Sequence, residues 1–208
     1  MSIVDYQTLE AEVKKYVYNR SDLTARLPTF VQIAERKIFR KLEHRQNEVL
    51  VDGNIDADNN RLALPSNYKS VKRLTVNGNP LTRISETRYD ALLAGDNSGR
   101  EPQHFCRLAN YFKFWPAPDS AYAYELYYFA QFALNSATPT STNDVLTNMP
   151  DLYLYGVLME VAPYLGEDDR IDTWEKMLGM AWETVNEETS DEEYSGEVNQ
   201  VTQPWGDG

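Results

Sequence analysis

The hydrophobic period changes twice along this chain, from helical to alternating and back, and that constrains the fold more than any motif does. Residues 5–18 predict a first helix, with Tyr6, Leu9, Val13, Tyr16 and Val17 recurring at helical spacing. Asn19-Arg20-Ser21-Asp22 breaks the pattern and offers an N-cap for the next element. A second helix is expected over about 28–43, with Pro28 in its first turn. Leu27, Phe30, Val31, Ala34, Ile38 and Leu42 form its apolar stripe, and Arg36, Lys37, Arg40 and Lys41 line the opposite face. The two helices are expected to pack as an antiparallel pair.

From residue 47 the period becomes two. Residues 47–55 and 61–64 read as strands around the turn-rich Asp56-Ala57-Asp58-Asn59-Asn60. A clear strand at 70–76 runs into Asn77-Gly78, a dipeptide suited to a tight hairpin because both central residues must accept positive φ. Its partner is expected at 80–84, followed by a short helix at 86–94 and an exposed loop at 95–100. Two further strands, 103–109 and 111–115, meet at Ala109-Asn110. In residues 121–131, Tyr122, Tyr124, Leu126 and Tyr128 share one face, and Ala123, Glu125, Tyr127 and Phe129 share the other. A strand so aromatic on both faces is expected to be central or covered.

The helical period returns after a polar loop at 135–144. Residues 150–165 are apolar all round and predict a buried helix, with Pro163 kinking or shortening its last turn and Gly166 closing it. A final helix over about 168–189 places Ile171, Trp174, Met177, Leu178, Ala181, Trp182 and Val185 inward. The expected class is α+β, with a bundle from the N- and C-terminal helices (1–45 and 146–190), an inserted antiparallel β-rich region (46–145) and an extended tail (191–208).

Charge is distributed unevenly. The chain carries a net −12, but residues 151–208 hold 15 Asp and Glu against Arg170 and Lys176, a net −13, leaving +1 for residues 1–150. Such a balance argues against a free-standing nucleic-acid binder, whose affinity comes mostly from neutralised phosphates. The single cysteine, Cys106, excludes an intrachain disulfide framework and is expected to be a small buried hydrophobe. The N-terminus lacks the basic and apolar run of a signal peptide, and no eighteen apolar residues run together. A reducing, aqueous compartment is expected.

Few residues suit catalysis. His44 and His104, the only histidines, lack a nucleophile context and read as surface or strand filler. Glu167-Asp168-Asp169 falls where the last helix begins, and there negative charge favours the helix dipole. Glu187, Glu188 and Asp191-Glu192-Glu193 read as an exposed helix end and tail without the ligand spacing of an EF-hand. Asp52, Asp56 and Asp58 sit at a turn, where Asp is common for backbone reasons. No enzyme, metal or cofactor is expected.

Contact surfaces are better represented. Fourteen tyrosines suit interfaces as well as cores. Tyr122, Tyr124, Tyr127 and Tyr128 are candidates for a subunit contact, or for sugar stacking in a carbohydrate-binding module, although such modules rarely carry long flanking helices. Arg36, Lys37, Arg40 and Lys41, extended by Arg45 and interrupted by Glu35 and Glu43, could touch nucleic acid but are rather expected to be solvated or to face protein, with the acidic C-terminal region of a neighbouring copy as a candidate partner. Trp205 in the tail is a candidate anchor.

The order of several short segments then becomes informative. Asp22-Leu23-Thr24-Ala25-Arg26-Leu27-Pro28-Thr29-Phe30 runs into Ala34-Glu35-Arg36-Lys37-Ile38. Next come Leu62-Ala63-Leu64-Pro65-Ser66-Asn67-Tyr68, Val76-Asn77-Gly78-Asn79-Pro80-Leu81, Trp115-Pro116-Ala117-Pro118-Asp119 and Glu125-Leu126-Tyr127-Tyr128. The series ends with Leu146-Thr147-Asn148-Met149-Pro150-Asp151-Leu152-Tyr153-Leu154-Tyr155-Gly156. This order resembles the head-to-tail adaptor (connector) proteins of tailed bacteriophages, including the tail tubular subunits of short-tailed phages. The resemblance implies a virion neck component, assembled in the host cytoplasm. Such adaptors form a ring, usually of twelve copies, between the portal protein and the tail or nozzle, and continue the channel for genomic DNA. It further implies a helical ring body, a β region facing the tail, a C-terminal segment reaching towards the portal, and no catalytic residues. A stopper or tail-completion protein of the same neck is the nearest alternative.

Overall fold

The computed structural model describes residues 2–57, 59–95, 99–166 and 168–194. It divides into two compact units. The first takes the chain up to Ile38, Asn135–Thr142 and the chain from Leu146 onward; the second takes Phe39–Leu134 and Asn143–Val145. The class is α+β, as the change of period requires.

The first unit is helical. Its α1 (Tyr6–Tyr16) opens with a capping box in which Asp5 Oδ1 accepts the Thr8 amide at 2.8 Å and Thr8 Oγ1 accepts the Asp5 amide at 3.0 Å. The Thr8 hydroxyl, which donates to Asp5 Oδ1 at 2.7 Å, and then the Thr8 amide hold the Asp5 carboxyl below the usual carboxylate range. Helix α2 (Leu27–Lys41), whose residues up to Ile38 belong to this unit, buries Leu27, Val31, Ala34 and Ile38. Helix α5 (Pro150–Leu165) starts on proline, carries Pro163 inside its last turn and ends at Gly166 in the left-handed conformation, φ 69°. A 3₁₀ turn, Asp168–Arg170, precedes α6 (Ile171–Tyr194), which buries Trp174, Ala181 and Val185.

Because α5 is apolar on nearly every side, it is the helix the others share. Both α1 and α6 pack on it. Helix α2 reaches it through Ile38, whose Cδ1 lies 3.4 Å from the point where a Cβ on Gly156 would sit. Among the described elements, α1 makes its most extensive packing with α5. The polar stretch Asn135–Thr142 also belongs here, since Ser141 and Pro139 carbonyls accept the Tyr6 and Gln7 amides at 2.8 and 3.0 Å.

The second unit holds two four-stranded sheets. One runs β1 (Glu48–Ile55), β8 (Tyr122–Ala130), β3 (Tyr68–Val76), β4 (Asn79–Pro80), and the other β2 (Arg61–Ala63), β7 (Tyr111–Trp115), β6 (His104–Leu108), β5 (Thr82–Arg83). β1 and β2, consecutive in sequence, thus enter different sheets. The strand expected at 80–84 is divided between them. Asn77 (φ 48°) and Gly78 (φ 80°) make the hairpin turn, β4 pairs with β3, and after Pro80 the chain leaves to pair β5 parallel with β6. β8 is central, hydrogen-bonded to β1 and β3. Leu74, Val76, Leu126 and Tyr128 of the first sheet and Phe105, Phe112 and Phe114 of the second form one core. Phe105 and Phe112 meet edge-on at 5.0 Å. Cys106, the next residue on β6, is fully buried but is not part of this core. A short helix, α3 (Glu86–Gly95), packs on β6 and β7 through Tyr89, and α4 (Asp144–Asn148) precedes α5.

Candidate assembly interfaces

Helix α2 presents a continuous exposed stripe of Thr29, Gln32, Ile33, Arg36, Lys37, Arg40 and Lys41, residues three and four apart. Lys37 pairs with Glu160 of α5, whereas Arg36 and Arg40 have no ion-pair partner among the described residues. Glu35 does not interrupt the stripe. It turns inward, is 5% exposed and accepts the Tyr153 hydroxyl at 3.1 Å. Glu43 bends to the β unit instead, where it accepts Ser70 Oγ at 2.7 Å and lies 3.5 Å from Lys69 Nζ. Burial pulls the Lys69 ammonium below its ordinary range, although Glu43 opposes the shift.

The four candidate tyrosines of β8 do not form one platform. Tyr122, Tyr124 and Tyr128 point to the face that carries the two-sheet core, while Tyr127 lies on the opposite face under the Arg73 guanidinium, 4.5 Å from it. Tyr128 donates to Asn67 Oδ1 at 3.0 Å, Tyr122 donates to Asp119 Oδ1 at 2.5 Å, and the ring of Tyr124 covers Gly53. A Cβ at Gly53 would lie 3.0 Å from Tyr124 Cε1, so a larger residue there would require the tyrosine ring to shift. Burial raises the Tyr124 and Tyr128 hydroxyls above their ordinary pKa, and for Tyr124 the Asp52 carboxylate adds to it.

Other candidates are dispersed. His44 is buried and lies in a cap, neither at the surface nor in a strand as expected. It caps the 3₁₀ turn Arg45–Asn47, with Nδ1 accepting the Gln46 amide at 3.2 Å and its own amide donating to Asn47 Oδ1 at 2.8 Å. A short polar turn between α2 and β1 can be enclosed only if its amides are met, and the imidazole meets one. His104 stacks on Trp115 at 5.7 Å. Asp52 and Asp56 are exposed, as are Asp169, Glu187 and Glu188, while Asp58, Glu167 and Trp205 lie outside the described residues, as do the side chains of Asp168 and residues 191–193. No group of three or more His, Cys, Asp or Glu among the described residues is placed to hold a metal. An open depression of about 500 Å³ is lined by residues 79–82 and 101–104, among them Thr82, Glu101 and His104.

The exposed α2 stripe is thus the most continuous candidate contact surface, and a family comparison bears on what it could serve. The sequence profile of the family described as SU10 adaptor protein matches residues 4–201. The chain belongs to the SU10 adaptor protein family. It is a phage head-to-tail adaptor, a structural component of the virion that associates with portal and tail components. No curated protein matches the chain. No helix among the described residues of the adaptor is long and apolar enough to cross a membrane.

Several exposed apolar and aromatic residues escaped the sequence pattern. Met177 and Met180 of α6 are 37% and 49% exposed, although Met177 has the spacing of an inward residue. Ile33 of α2, 37% exposed, belongs to the outward stripe, as its three- and four-residue offsets to Arg36 and Lys37 indicate. Tyr18 is 77% exposed in a left-handed conformation, φ 56°, with the Arg170 guanidinium 5.3 Å from its ring and 5.0 Å from that of Trp174. Nothing in the period announces that cluster, because Arg170 lies more than 150 residues from Tyr18.

Proposed function

We propose that the adaptor assembles into a closed ring of twelve copies between the portal and the tail or nozzle, continuing the channel through which genomic DNA passes. Family membership over residues 4–201 carries this reading. The segregated charge supports it. A net −13 in residues 151–208 repels phosphate, so a lumen lined by it lets DNA slide without gripping it. On this reading the helical unit forms the ring body, the β unit faces the tail, and the C-terminal segment with Trp205 meets the portal. Assembly takes place in the host cytoplasm before the virion is complete.

The division of Tyr122, Tyr124 and Tyr128 from Tyr127 speaks against the sugar-binding alternative, which needs adjacent rings on one accessible face. The deciding experiment is molar mass by light scattering with negative-stain imaging, on the adaptor alone and mixed with its portal ring. A closed ring in either sample supports the proposal and gives the copy number. A monomer that leaves the portal bare overturns it.

A further inference from the structure

Two exposed helix faces of the adaptor match in both chemistry and spacing. On α2, Ile33 is followed three and seven residues later by Arg36 and Arg40. On α6, Met180 is followed three and seven residues later by Glu183 and Glu187, and all six side chains are exposed. Seven helical residues span roughly 10 Å, so each helix presents an apolar side chain and, two turns on, the second of two like charges. None of the four charged groups has an ion-pair partner among the described residues. These six side chains point away from the core of their own copy, since α6 turns Trp174, Ala181 and Val185 inward and α2 turns Val31, Ala34 and Ile38 inward.

We infer that the α2 face of one copy docks in parallel on the α6 face of the next, with Ile33 on Met180, Arg36 on Glu183 and Arg40 on Glu187. The constant offset keeps every pair in step, and the same register sets the half-buried Phe30 opposite Met177. Charge fixes the direction. Turned antiparallel about the Ile33–Met180 contact, α2 would set Arg36 against Met177 and Lys37 against Lys176, burying one cation without a partner and opposing two others. The occupant is a second copy because one chain carries both complementary faces. Two different faces also propagate head to tail and close when the rotation allows. This contact rests on the ring reading above and gives that ring its subunit seam.

The test reverses each side separately. Arg36→Glu with Arg40→Glu, or Glu183→Arg with Glu187→Arg, is expected to raise the concentration needed for assembly by at least about tenfold, as two attractive pairs become repulsive. Combining all four substitutions restores assembly. Light scattering reads the mass, with the portal ring present if wild-type copies assemble only there, and circular dichroism confirms that each variant folds. Ile33→Cys with Met180→Cys supplies an independent readout. Cys106 is buried, so oxidation is expected to give a ladder of linked copies from the double variant and no more than pairs from either single one. Unchanged assembly of either reversed variant, or assembled double-cysteine protein that gives no ladder, overturns the contact while leaving the ring. Wild-type protein that forms no ring, alone or on the portal, overturns both.

Discussion

A carboxyl group on a helix enters a core only where its oxygens are met, and at Glu35 the Tyr153 hydroxyl supplies one of those bonds. Tyr153→Phe removes it while keeping the ring. A hydrogen bond to a charged group is worth about 1.5–3 kcal/mol, so the variant should lose stability in that range with an unchanged denaturant slope in urea unfolding. Tyr6 belongs to the same unit and gives a pH signature. Burial, then the carboxylates of Glu10 and Glu35, push its hydroxyl up from 10.0 to about 12. Folding thus favours the protonated phenol. Its contribution is intact below pH 10, the unfolded value, and is lost as pH rises towards about 12. Tyr6→Phe should flatten part of the fall in stability across that window in urea titrations at stepped pH. Other tyrosines titrate nearby, so the difference between the two proteins is the quantity to read.

At the level of elements, the seam between α2 and α5 is the sharpest test of packing. A Cβ on Gly156 would lie 3.4 Å from Ile38 Cδ1 and 3.7 Å from Ala34 Cβ, the edge of ordinary contact. Gly156→Ala should therefore be near neutral, its gain of about 0.5–1 kcal/mol in helix propensity offset by tightness. Gly156→Leu should cost about 1–3 kcal/mol by forcing the helices apart, measured by the midpoint of urea unfolding. The elements themselves were legible because period is a local property. The 150–165 helix, the 121–131 strand and the Asn77-Gly78 turn stand where spacing and turn chemistry put them. Their partners were not legible. Local pattern says that α1 must bury Leu9 and Val13, but which apolar face receives them depends on α5, more than 130 residues away. Pro80 likewise signals a break in a ladder without saying that the chain will cross to a second sheet. The candidate interface was half legible. The cations of α2 were visible in the sequence, but Glu35 looked like part of the same surface until Tyr153 gave it a buried partner, and Met177 and Met180 look like core residues in any hydrophobic count.

For the whole molecule, segregated charge has a consequence that composition alone lacks. A uniformly acidic subunit would repel its copies at every approach, and added salt would only help assembly. The adaptor instead carries +1 over residues 1–150 and −13 over 151–208, so copies attract when the α2 region of one meets the acidic region of another. Screening then weakens the attraction. Assembly should require higher protein concentration as salt rises from about 50 mM to about 500 mM, where the Debye length shortens from roughly 14 Å to roughly 4 Å. Neutralising the faces with Arg36→Gln, Arg40→Gln, Glu183→Gln and Glu187→Gln should weaken assembly at low salt and remove most of that dependence. What remains is the apolar contribution of Ile33 and Met180, which salt does not screen. Light-scattering mass across the salt series separates the two. A steep dependence that survives in the neutralised protein would place the attraction on other charges of the molecule, and a flat wild-type series would mean that apolar contact alone holds the copies together.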